Sequence, residues 1–325
     1  MKTTPSHPVL RRCLAALVLL AAPTLLVAQQ GKGRGKEQSA QLRQAAELMR
    51  DGKTADALAA VRRELAANPT SGPAANLLDT LGATKEARGV LQLRIDAAAD
   101  PAAKAAAQRA MAMSYAFDGD SQNTVKYEQL VIAYWATRES AEPQNAFYQQ
   151  GEIANEAARV CIDSGDLAAA ELWYRQGTAL GLKEPEPKAH PASLWHYRLA
   201  HALGRLAARR GDKTEAQKQI AAARKILDGD AKMAEQQERF FPYLVGYVAL
   251  YTSDLPTAEA ELTKAMNLPG GQNDPFLPCL VAMTCEKLGQ ADRAKELYQK
   301  AYGLATAHNP PAAFVRPFAR KKLGL

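Results

Sequence analysis

From about Ser39 onward the apolar and polar positions repeat one pattern. An apolar helix leads into a Gly-Asp or similar turn, and a second helix follows with small residues at fixed offsets. The turn position is held by Gly52, Gly82, Gly119, Gly165, Gly211, Ser253 and Gly289. Five residues later stand Ala57, Ala87, Thr124, Ala170, Ala216, Ala258 and Ala294. Seven residues before each turn stand Ala45, Ala75, Ala112, Ala158, Gly204, Gly246 and Ala282. The register continues with Val61, Leu91, Glu128, Tyr174, Ile220, Leu262 and Tyr298, and then with Glu64, Arg94, Val131, Gly177, Ala223, Ala265 and Ala301. A turn residue able to take positive φ lets the chain reverse between helices. Small residues on both sides let the two helices approach closely, and the later offsets continue one helical face.

This pattern resembles the tetratricopeptide repeat family, whose units are helix–turn–helix hairpins of about 34 residues. The clearest copies are Leu203-Gly204…Gly211-Asp212…Ala216…Ala223 and Val281-Ala282…Gly289…Ala294…Tyr298…Ala301. The resemblance, in its exported bacterial form, covers residues 39–306. It implies an all-α solenoid, a superhelix of about seven hairpins. Departures are visible too. Successive turns are 30, 37, 46, 46, 42 and 36 residues apart, so helices or loops are uneven. The region Glu142–Ser164 has no helix breaker after Pro143 and predicts a longer helix. Thr124 and Ser253 replace the usual small residue and glycine, while Glu64, Arg94 and Glu128 stand where the family prefers apolar or small residues. Pro185, Pro187 and Pro191 mark an extended connection, and Asp228–Gln237 reads as a polar loop. Residues 307–325, with Phe314, Phe318 and Arg320-Lys321-Lys322, read as a terminal capping helix.

Ahead of the array, residues 1–28 read as a cleavable secretory signal. Arg11 and Arg12 form the positive region, Cys13–Leu26 is nearly all Ala, Leu and Val, and Ala28 is the small residue before cleavage. An uncleaved anchor is the alternative. Residues 29–38 are a polar, glycine-rich linker. The expected location is a periplasm or the outside, with no membrane span after cleavage.

Composition supports helix. Hydrophobic residues make up 47 % of the chain and aromatics 6 %, with alanine carrying much of the apolar content. The formal charge of +7 falls when Lys2, Arg11 and Arg12 are removed, leaving 38 basic against 34 acidic residues, or +4. That surface is too mildly basic for a nucleic-acid binder. Cys161, Cys279 and Cys285 have apolar neighbours and read as buried thiols, with a Cys279–Cys285 disulfide as the alternative.

Candidate chemistry is sparse. His196 and His201 are five residues apart, about 140° around a helix, and do not share a face as a metal pair would. The sequence has no HExxH, paired CxxC, P-loop or glycine-flanked serine nucleophile. No catalytic residue, metal or cofactor is expected.

The resemblance implies that the first helix of each hairpin lines a concave groove. Three such helices carry one-sided stripes: Asn155 and Arg159; Arg198, His201, Arg205 and Arg209; and Phe240, Tyr243, Tyr247 and Tyr251. Some members of the family grip a terminal carboxylate with Asn, Lys and Arg, which Asn155, Arg159 and Arg205 resemble in part. Arginine forks hold carboxylates bidentately, and tyrosines add contact area with a polar tip. The competing reading has the arginines bridging neighbouring repeats and the tyrosines wedged between first helices. The expected function is an exported scaffold without catalysis of its own, binding a protein or extended peptide, with or without acidic groups. The rivals are an enzyme subunit in a helical-repeat frame and an envelope-assembly component acting through oligomerisation.

Overall fold

The computed structural model describes residues 39–325; the expected signal and linker lie outside the described residues. Seven antiparallel hairpins follow one another: α1 (Ala40–Arg50) with α2 (Thr54–Ala67), α3 (Gly72–Leu81) with α4 (Thr84–Asp96), α5 (Pro101–Phe117) with α6 (Ser121–Ala136), α7 (Pro143–Ser164) with α8 (Leu167–Gly181) and α9 (Ala192–Arg209) with α10 (Lys213–Gly229), then, beyond a short insertion, α12 (Phe241–Tyr251) with α13 (Leu255–Asn267) and α14 (Phe276–Lys287) with α15 (Ala291–Leu304). The insertion is α11 (Ala231–Gln237) and a 3-10 turn (Glu238–Phe240); α16 (Pro310–Leu323) ends the chain. No strand occurs among the described residues, and no described helix is long and apolar enough to cross a membrane. The architecture is an all-α solenoid.

The hairpin register has a direct physical origin. All seven turn positions have positive φ, from 66° at Ser253 to 92° at Gly165, and Ser253 is the only described non-glycine residue in that region. At Gly119, Gly165, Gly211 and Ser253 the next residue is an aspartate. Its carboxylate accepts the backbone N–H three residues on and caps the second helix, at 3.0, 3.0, 2.9 and 3.3 Å. The small residues on either side of each turn are buried. Thr124 fits its slot because its hydroxyl donates to the Ala112 carbonyl at 3.1 Å, and Ala112 is the small residue of the facing helix. The long helix expected after Pro143 is α7, 22 residues in length. Its backbone nearly touches that of α8 at Gly151 and Gly177, where a Cβ on Gly177 would lie 2.8 Å from the Gly151 carbonyl oxygen.

Two expectations change. Asp228–Gln237 is not a loop. α10 runs on to Gly229, and Asp230 then starts α11 by accepting the Met233 N–H at 3.0 Å, with Met233 buried as its apolar anchor. The C-terminal residues do more than cover the last hairpin. α16 packs on α14 and α15 and also on α5 and α7. His308, just before α16, bonds Asp79 of α3 at 2.9 Å and stacks on Phe117 of α5, while Arg316 donates to the Thr80 carbonyl at 3.1 Å. These basic groups meet the C-terminal end of α3, where helix carbonyls favour positive charge. The last segment thereby ties the seventh hairpin back to the second and third.

Cys161, Cys279 and Cys285 are buried free thiols, so no disulfide joins Cys279 to Cys285. Burial pushes Cys161 up to about 12 and raises the other two as well, which leaves them inert.

Candidate functional site

The first helices α7, α9 and α12 present their stripes to one another around a cavity of about 230 Å³. Six expected site residues line it: Asn155, Arg159, Arg198, His201, Arg205 and Tyr243. Three do not. Arg209 donates to the Tyr247 hydroxyl at 3.4 Å and lies 4.9 Å over the Tyr251 ring, and Tyr247 is only 1 % exposed. That end of the stripe is packing between helices, as the competing reading expects. Tyr247 is closed off by its neighbours, while Arg209 and Tyr251 are half-buried.

Phe240, expected in the third stripe, also lines the cavity, and further lining residues come from outside the stripes. Tyr174 comes from α8, Gln237 from α11 and Phe240 from the 3-10 turn. Tyr174 occupies a slot that holds Val, Leu or Ile in four other hairpins; its hydroxyl is the only sequence sign that the slot does more than fill the core. Gln237 became placeable only once α11 was seen to be a helix.

The charges are unequal in their partners. Arg198 is paired with Glu152 across the α7–α9 interface. Arg159 donates through Nε to Asp163 at 2.9 Å and lies 4.0 Å over the Phe276 ring, but its Nη2 is buried with no hydrogen-bond partner. Arg205, 5 % exposed, has no carboxylate partner. It donates to the Tyr243 and Tyr174 hydroxyls at 3.1 Å each and to the His201 carbonyl at 3.4 Å. Its guanidinium also lies 5.6 to 5.8 Å from the Tyr174, Tyr243 and Tyr247 ring centroids. His201 sets its Nε2 3.3 Å from the Phe240 carbonyl oxygen. Burial, reinforced by the Arg205 charge, holds its pKa well below the ordinary 6.5, so the imidazole is neutral.

Arginine has five N–H donors and cannot be deprotonated in a protein. Three of those on Arg205 are engaged, all by neutral groups, and the Arg159 fork has a donor with nowhere to go. A buried guanidinium pays a desolvation penalty that neutral acceptors offset only in part. The arrangement is chemically competent to receive an anionic group between Arg159 and Arg205. Among the described residues no cluster of three His, Cys, Asp or Glu side chains is placed to hold a metal ion.

No family model matches the chain, and no curated protein matches it. Among solved structures it is similar to the TPR domain of P58(IPK), at 12 % identity over 87 % of this chain and 97 % of that one, with a TM-score of 0.23. At that score the likeness adds nothing to the architecture, which rests on the seven hairpins themselves.

Proposed function

We propose that this chain is an exported scaffold of tetratricopeptide type, without catalysis of its own, whose cavity receives an acidic group of a protein or peptide partner. The observation that carries the reading is the buried Arg205 guanidinium, bonded only to neutral groups beside the unpartnered Arg159 Nη2. A carboxylate would bring a full negative charge to a guanidinium now held by neutral acceptors, and hydrogen bonds to charged groups contribute about 1.5–3 kcal/mol each. Gln237 and Phe240 line the cavity, and Phe276 lies against Arg159 with Phe314 of α16 behind it. Export rests on residues 1–28 alone.

A random peptide library synthesised in two forms, free acid and C-terminal amide, tests the reading. The full chain should enrich free-acid or Asp/Glu-bearing sequences, and an Arg159→Gln/Arg205→Gln variant that still melts cooperatively should lose the enrichment. Equal recovery of acids and amides by the wild type would sink it.

A further inference from the structure

The cavity's walls say more about the acid than its charge does. Tyr174, Tyr197, Phe240 and Tyr243 surround it with aromatic rings, and the Arg205 guanidinium faces two of those rings, Tyr174 and Tyr243, at 5.6 Å each. At about 230 Å³ the space is below the roughly 300–1,000 Å³ of sites for drug-sized ligands. The charged groups lining it are Arg159, Arg198, Arg205 and Glu152. Glu152 neutralises Arg198, and Asp163 neutralises Arg159. Asp274, near Arg159, accepts the Phe276 backbone N–H at 2.9 Å. Among the described residues, Arg205 has no carboxylate partner. That balance matches one negative charge rather than two.

Building on the acid-receiving cavity proposed above, we infer that its preferred occupant is a compact aromatic monocarboxylate. The carboxylate lies between Arg159 and Arg205, and the ring lies among Phe240, Tyr197 and Tyr243. A free small-molecule acid and an aromatic residue at the carboxyl end of a partner share this chemistry. A second cavity, of about 290 Å³, lies under α16 and is lined by Phe117, Phe314 and Phe318. Its basic group, Lys321, is exposed, and the carboxylates sharing the lining, Asp118 and Asp163, are paired with Arg88 and Arg159, so no buried cation waits there for an acid.

Titration calorimetry of the full chain with four probes tests the inference: phenylacetate, phenylacetamide, acetate and inorganic phosphate. Phenylacetate should bind at least about tenfold more tightly than phenylacetamide, because each factor of ten is only 1.4 kcal/mol, less than one charge-assisted bond. It should also exceed acetate by about tenfold and bind better than phosphate. Arg205→Gln should bring the acid and the amide together. If that variant fails to fold, Phe240→Ala, on the half-buried 3-10 turn, should narrow the gap between phenylacetate and acetate while the acid still exceeds the amide. Equal binding of acid and amide, tighter binding of phosphate, or no heat with any probe would each overturn the inference. Free-acid peptides that bind while phenylacetate neither binds nor competes would remove this inference and leave the scaffold reading intact. Phenylacetate that binds while acidic peptides do not would do the reverse.

Discussion

Glu128 of α6 offers a quantitative check on the packing of the third and fourth hairpins. Its carboxyl is fully buried, and neither oxygen has a hydrogen-bond partner. The charged groups that face it are Glu156 of α7 and Arg109 of α5, and Arg109 is engaged by Glu156 through Nε and Nη2 at 2.8 and 2.6 Å. Burial first, and repulsion by Glu156 second, raise the Glu128 pKa well above the ordinary 4.5. The folded protein therefore keeps this proton after the unfolded chain has lost it. In that window the unfolded state binds fewer protons, so stability falls as pH rises. The slope is about 1.4 kcal/mol per pH unit, from just above the unfolded value until the folded acid itself ionises. Glu128→Gln keeps the shape and removes the titration. Urea denaturation of both proteins at pH 4, 5, 6 and 7 should show the variant gaining on the wild type by about that slope, then levelling off. A difference that stays constant with pH, or that narrows as pH rises, would refute the assignment of Glu128 as a buried neutral acid.

Three further outcomes follow from local geometry. Ser253 holds φ of 66°, which costs an L-residue roughly 1–2 kcal/mol; Ser253→Gly should raise the melting temperature, and Ser253→Val should lower it. Gly177→Ala would set a Cβ 2.8 Å from both the Gly151 carbonyl oxygen and the Asn155 amide oxygen, so thermal denaturation should show a loss of about 1–3 kcal/mol. His308→Ala would remove one hydrogen-bond partner of the buried Asp79 carboxyl and leave the Ser114 hydroxyl at 2.7 Å, and a buried polar group left short of a partner costs about 1–3 kcal/mol. Hydrogen exchange should then show faster opening of residues 305–325 than of α9 and α10.

The hairpin array was legible because its signal is steric and local. A turn that must take positive φ and two small residues at fixed distances from it leave a mark in every copy, and even Thr124 and Ser253 keep their slots. α11 left no such mark, since seven residues with one apolar anchor at Met233 look like a polar loop. The placement of α16 was also invisible. It depends on Arg316 and His308 meeting the end of α3, more than 200 positions away in the chain. The three stripes together named seven of the eleven lining residues, because residues three and four apart share a helical face. Helical spacing cannot tell an open face from one covered by the next helix, so it does not separate Arg209, Tyr247 and Tyr251, which pack behind the cavity, from the residues that line it. Tyr174, on a second helix, lies outside the stripes and carries only its place in the repeat register.

Arg205 as the receptor of an acid can be tested by a thermodynamic cycle. One peptide recovered from the free-acid library would be prepared as acid and as amide, and the affinity of each measured by calorimetry for wild type and for Arg205→Gln. A direct guanidinium–carboxylate contact of about 1.5–3 kcal/mol predicts a preference for the acid of roughly 10- to 150-fold in the wild type, collapsing toward unity in the variant. The same preference in both proteins would place the acid elsewhere and leave Arg205 as a purely structural cation.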